Sequence, residues 1–287
     1  MIAHVAAVGE ARGRVVLQLC SGRLHRIALE AAIRVAQAFQ SEIESVFVED
    51  RQLIELARFP FAREISLNGR QSRAITCADV ERDLRFVSAE AQRLLAAMAR
   101  HAEVPLRQRV VRDEPVRALA AACAESGPWN VIALTEPIGT GTAHVLRLML
   151  DTVAETTGVI VVGRRARRTT GPVVIAVEDM EHLPGLLRAA ERLAPAIGGD
   201  IVLLLIGENE EWLLWLDGQA RLALADMREV RIVHAEVAHG EEAVAAEALR
   251  RCASGFAIGQ FGGLLVPDEG GLRPLAAALE CPLLLVR

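Results

Sequence analysis

The sequence predicts an α/β protein built from two open, parallel, five-stranded sheets in tandem, each with helices on both faces. Three observations carry this. Continuous apolar runs of strand length recur, such as Val173–Val177 and Ile201–Ile206, as strands buried on both sides require. Between such runs lie apolar stripes at helical spacing; Leu24, Ile27, Ala28, Ala31, Val35 and Phe39 form one. The whole order then occurs twice with partial textual echoes. VVLQL is answered by PVVIAV, EIESVFVED by DIVLLLIGE, and GVIVVGR by CPLLLVR.

Taken in order, Val15–Leu19 reads as the first strand, and Cys20-Ser21-Gly22 stops it. Ser21 is a good N-cap for the helix that follows, and Ile43–Val48 is the second strand, completing a βαβ unit. A short helix over Leu53–Ala57 ends before Pro60, and Ser66–Ser72 reads as an exposed loop. A long helix spans Asp79–Ala102, Leu106–Val111 is a strand and Glu114–Glu125 a helix broken by Gly127-Pro128. Val131–Leu134, a glycine loop with its helix, and Val159–Val162 complete the first half. Arg164–Gly171 reads as a linker.

The second half runs through a strand at Val173–Val177, a helix from Leu183 to Ile197 and a strand at Ile201–Ile206. A helix over Trp212–Ala225, a strand at Val230–His234 and a helix over Glu241–Cys252 follow. A strand at Leu264–Val266, a helix at Leu272–Leu279 and a strand at Leu283–Val286 close it. This gives two domains, 1–168 and 169–287. The first carries an extra segment at about residues 50–78, which reads as a surface loop, loops of this length otherwise often being lids or interaction surfaces.

The 287 residues are 52% hydrophobic, enough for a sizeable core, and the net charge of −5 offers no whole-chain attraction to nucleic acid or anionic membrane. Every basic residue is Arg, which excludes a P-loop lysine, a Schiff-base lysine and a Lys general base. Five scattered cysteines, with no CxxC pair, fit reduced thiols, and the amino-terminal stretch lacks the pattern of a signal peptide. No apolar run is long enough for a membrane span. The expectation is a cytoplasmic protein.

Both halves resemble the universal stress protein family. The resemblance rests on the order of elements and on two local runs. One is Leu148-Met149-Leu150-Asp151-Thr152-Val153-Ala154-Glu155, similar to the family's apolar-apolar-apolar-Gly-Ser-Val-Ala-Glu. The other is Glu280-Cys281-Pro282-Leu283-Leu284-Leu285-Val286-Arg287, similar to its Cys-Pro-Val-Leu-Val-Val ending. The resemblance implies a strand order of 3-2-1-4-5 in each half, with a cleft where strands one and four diverge. In the first half that cleft would be lined by Cys20, Ser21, Gly22, Val48, Thr135, Gly139, Gly141, Thr142, Asp151 and Thr152. ATP-binding members carry Gly-x-x-Gly and then Gly-Ser or Gly-Thr. Here Gly139 and Gly141 stand at Gly-x-Gly spacing, Asp151 replaces the second glycine, and Thr152 keeps the hydroxyl.

A hydrogen bond to a charged phosphate contributes about 1.5–3 kcal/mol, and a carboxylate about 4 Å from it costs on the order of 1–4 kcal/mol. Asp151 therefore offsets one or two loop contacts, which Arg147 one turn earlier restores in part. In the second half Leu264–Val266 runs straight into Pro267-Asp268-Glu269-Gly270-Gly271, leaving no room for a phosphate loop. The expectation is a non-enzymatic stress-response or regulatory protein with weakened or lost nucleotide binding. The halves would pair as a pseudo-dimer, with association of two chains and a protein partner as further expectations. Two alternatives stay open: a switch binding ATP or AMP in the first half only, and a nucleotide-dependent hydrolase or transferase of the wider fold.

Other clusters have plainer readings. Ser21-Gly22 matches only the start of a pyrophosphatase loop, so it reads as a cap. His234, Glu236, His239, Glu241 and Glu242 read as a strand end and helix-cap acids, not metal ligands. The Arg164–Arg168 block reads as a solvated linker, and Trp212 and Trp215 as core or interface.

Overall fold

The computed structural model describes residues 13–19, 26–66, 68–125, 130–134, 156–225, 230–238, 241–263, 265, 275 and 278–286. The first half supplies β1 (Arg14–Leu19), α1 (Arg26–Ala38), β2 (Glu42–Asp50), α2 (Arg51–Leu56), β3 (Arg63–Ile65) and β4 (Ser72–Ala74). It continues through α3 (Cys77–His101), β5 (Leu106–Asp113), α4 (Pro115–Ala124), β6 (Asn130–Leu134) and β7 (Thr156–Val161). The second half supplies β8 (Val173–Val177), α5 (Leu183–Ile197), β9 (Ile201–Gly207), α6 (Glu210–Ala223), β10 (Arg231–Glu236), α7 (Glu242–Arg251), β11 (Phe256–Gln260) and β12 (Leu283–Val286).

Ten strands form one sheet in the order β10-β9-β8-β11-β12-β7-β6-β1-β2-β5. Neighbours are parallel throughout except at one joint, where Leu283–Val286 of β12 lies antiparallel to Gly158–Val161 of β7. One continuous sheet thus stands where two separate ones were expected. Both joint strands are apolar on successive residues, and an unpaired edge of that kind invites association. Pairing them with each other removes two edges.

Because side chains alternate along a strand, each strand feeds two cores. Val15, Leu17 and Leu19 pack with α1, α3, α5 and α6 on one face. Val16, Val46 and Val48 pack with α4 on the other, where α7, Leu275 and Leu279 cover the second half. Local signals fix the helix ends. Thr76 and Asp79 form a reciprocal capping box at the start of α3, and Gly198, at φ 66°, ends α5 in the left-handed conformation.

Ser66 and the described residues 68–71 form the largely exposed turn of the β3–β4 hairpin, as the loop reading expected, with the Ser66 amide donating to the Gln71 carbonyl at 2.9 Å. Two expectations are corrected. The fourth strand of the second half is Phe256–Gln260, not Leu264–Val266. Gly259 replaces an apolar residue there because Leu265 packs over it, 3.2 Å from where a Cβ would stand. Arg164–Gly171 is not a free linker. Ala166 and Thr169 are buried, Thr169 Oγ1 donates to Glu30 at 3.3 Å, and the Arg167 amide donates to the Glu280 carbonyl at 2.8 Å. The segment is a strap fastened to both halves. Among the described residues no helix is long and apolar enough to cross a membrane.

Candidate functional site

In a parallel sheet the ligand-binding crevice opens at the carboxyl ends of two adjacent strands whose crossovers leave in opposite directions. In the first half β1 and β6 are such a pair, since β1 pairs with β2 on one side and β6 on the other. Of the ten residues expected around it, Cys20, Ser21, Gly22, Thr135, Gly139, Gly141, Thr142, Asp151 and Thr152 lie outside the described residues. Val48 is described. It pairs with Val111 and is buried against the α4 face, so its side chain serves the core.

In the second half the equivalent pair is β8 and β11. The chain leaves β8 as Glu178-Asp179. Glu178 Oε1 accepts the Leu265 amide at 3.0 Å in a buried bond. A Cβ on Gly263 would overlap the same carboxylate. β11 ends at Gln260, and of the stretch from there to Leu275 the residues 264 and 266–274, where a phosphate loop was expected to have no room, lie outside the described residues. A built-in carboxylate thus occupies the Leu265 amide beside the β8–β11 crevice. A phosphate brought within about 4 Å of Glu178 would meet roughly 1–4 kcal/mol of repulsion.

Asp179 is engaged beside it. It accepts the His182 amide at 2.9 Å and faces His182 Nδ1 at 2.9 Å. Burial raises its pKa, and the bonds from His182 and from the Gln260 side chain outweigh that, holding the carboxyl below its ordinary value. Sequence reasoning missed this pair by looking for acids at Asp268 and Glu269, which lie outside the described residues. The available signal was an acidic dipeptide directly after an all-apolar strand.

Elsewhere the chemistry is structural. His234 Nε2 lies 3.0 Å from Asp217, which also binds Arg221, so His234 forms a helix-to-strand clasp, while His239 lies outside the described residues. Among the described residues no three His, Cys, Asp or Glu side chains converge as metal ligands would. Trp212 and Trp215 stack with centroids 4.6 Å apart and stay partly exposed. Ser254 Oγ and Cys281 Sγ lie 3.1 Å apart, but burial pushes the thiol up to about 11, so it is neutral and a poor nucleophile.

No family model and no curated protein matches this chain. Solved structures do. A universal stress protein from Archaeoglobus fulgidus DSM 4304 aligns with a TM-score of 0.58 at 12% identity, covering 96% of each chain. A Pseudomonas aeruginosa UCBPP-PA14 protein assigned to the same class aligns with a TM-score of 0.56 at 14% identity, covering 96% of this chain and 93% of that one. The cytoplasmic domain of a prokaryotic cation chloride cotransporter aligns with a TM-score of 0.53 at 8% identity, covering 96% and 95%. One architecture thus serves differently named proteins, and duty resides in the site. The chain shares the α/β fold of universal stress proteins over nearly its whole length.

Proposed function

We propose that this chain is a cytoplasmic, non-enzymatic stress-response or regulatory protein of universal-stress type, whose nucleotide clefts are weakened or lost. Its two units, 1–168 and 169–287, each take the strand order 3-2-1-4-5 and pair internally through β7 and β12. The observation that carries the reading is the Glu178 carboxylate, which engages the Leu265 amide at the β8–β11 crevice. In the first half Asp151 plays the corresponding opposing part, replacing a glycine in the run that resembles the family's.

The test is calorimetric titration of the full chain with ATP and with AMP, beside Asp151→Gly. No binding by the unaltered chain, with micromolar binding by the variant, is the expected result. Micromolar binding by the unaltered chain would overturn it in favour of a switch using the first half. Turnover of ATP abolished by a single change in the first-half crevice would instead establish an enzyme.

A further inference from the structure

Among the described residues, α1 and α5 flank the sheet beside its joint on one face. The helical turn before β12, with Leu275 and Leu279, packs on the opposite face. What remains is a groove of about 730 Å³ between α1 and α5. Its floor is mainly apolar, with Val15, Val131, Gly158, Leu284 and Val286, and the polar residues reaching it include Arg14, which is already paired with Glu44. Its walls are Val35 and Phe39 from the end of α1, and Arg188 and Arg192 from α5. It opens at the amino ends of β1, β6 and β7, the far end of those strands from the first-half crevice.

The arginines are the informative part. Many of the described arginines lie against carboxylates, among them Arg14, Arg51, Arg82, Arg109, Arg112 and Arg221. Arg188 and Arg192 stand one helical turn apart, exposed, and neither has an acidic partner among the described residues. Like charges at this spacing repel. The Arg192 guanidinium instead lies over the Phe39 ring, 5.6 Å from its centroid. Glu191, next to Arg192 on the same helix and exposed, makes no ion pair with either arginine among the described residues; Glu181 borders a smaller recess at the Gln260 end, which also reaches Arg188. A volume of this size, with an apolar lining and few charged groups, is the ordinary form of a small-molecule site.

We propose that this groove binds a small amphipathic anion, its apolar body on the Val131–Leu284 floor and its carboxylate, sulfonate or phosphate head between Arg188 and Arg192. The inference stands independently of the nucleotide reading. An apolar body alone would leave two like charges uncompensated, and a bare inorganic anion would leave the floor wet.

The experiment uses the full chain and anilinonaphthalene sulfonate as the probe, followed by fluorescence and calorimetry. One probe per chain is expected, displaced by decanoate and not by decanol or inorganic phosphate. Arg188→Ala with Arg192→Ala should weaken binding at least tenfold. Among the described residues neither side chain has a hydrogen-bond or ion-pair partner, and Arg192 gives up only its contact with the Phe39 ring, so melting of that variant should change little. The conservative pair, Arg188→Lys with Arg192→Lys, should keep affinity within about threefold. Affinity unchanged in the alanine pair would overturn the proposal, as would equal displacement by decanol. A signal abolished by Phe59→Ser with Phe61→Ser would overturn it too, by assigning the probe to those exposed rings.

Discussion

Glu178 and Leu265, 87 residues apart, are joined by a buried 3.0 Å hydrogen bond from the Leu265 amide to the Glu178 carboxylate, and Gly263 leaves the space that carboxylate fills. Gly263→Ala forces a methyl group into the carboxylate and should cost about 1–3 kcal/mol. Glu178→Ala leaves the amide unsatisfied and should cost a similar amount, about 1–3 kcal/mol. The double variant should cost clearly less than the sum, because without the carboxylate the methyl group meets no clash. Urea denaturation of the four proteins measures the coupling. Strict additivity would mean that the two residues do not share this space.

A charged ladder crosses the edge of the sheet on the α4 side. Glu44 pairs with Arg14 and, at 2.8 Å, with Arg109, which also reaches Glu125 at 3.0 Å. Arg14 and Glu44 are both buried, Arg14 Nη2 donates to the Ala122 carbonyl at 2.7 Å, and burial lowers the Arg14 pKa from its ordinary value. Glu44→Ala strands the Arg14 charge and should cost about 3–5 kcal/mol, whereas Arg14→Met with Glu44→Leu should recover most of that loss. A double variant no more stable than the single one would show that Glu44 is held for another reason.

The thiols should separate by accessibility. Burial pushes Cys123 up to about 12 and Cys281 to about 11, while Cys77 is half-buried at the start of α3. Iodoacetamide at pH 8 should modify Cys77 at least tenfold faster than Cys123 or Cys281, because only thiolate reacts and only exposed sulfur is reached. Mass spectrometry of quenched digests gives the rates. Equal rates in folded protein would mean that the sheet opens on the labelling timescale.

Asp217 ties α6 to β10. The hydrogen bond from Arg221 is the largest influence lowering its pKa, with His234 adding to it. A carboxyl lowered in the folded state contributes stability that is present above its unfolded value. That contribution is lost as the pH falls through the folded value, below about pH 4. Asp217→Asn should therefore lower the melting temperature near neutrality and flatten its fall on acidification. Parallel acid limbs for the two proteins would refute the linkage.

Much of this fold was legible because buried parallel strands are written as uninterrupted apolar runs. Val173–Val177 and the helix from Leu183 to Ile197 have the bounds read from sequence. Phe256–Gln260 was not legible because its Gly259 accommodates Leu265, a tertiary contact that no local pattern reports. The joining of the halves into one sheet was invisible for the same reason: Gly158 faces Leu285, whose carbonyl oxygen would lie 2.9 Å from an added Cβ. The first-half crevice was read from loop residues of which only Val48 is described, and that side chain belongs to the core. Arg188 and Arg192, without an acidic partner among the described residues, emerge as a pair only when α1 and α5 face each other.

The antiparallel joint also sets a timetable for synthesis. β7 is made some 120 residues before β12. At ~5–20 residues per second, the ribosome leaves its outer edge waiting for on the order of ten seconds. During that interval the nascent chain offers a bare apolar strand, Thr156–Val161, to any neighbour on the same message. Slowing translation over the second half should therefore raise the yield of aggregates or swapped assemblies.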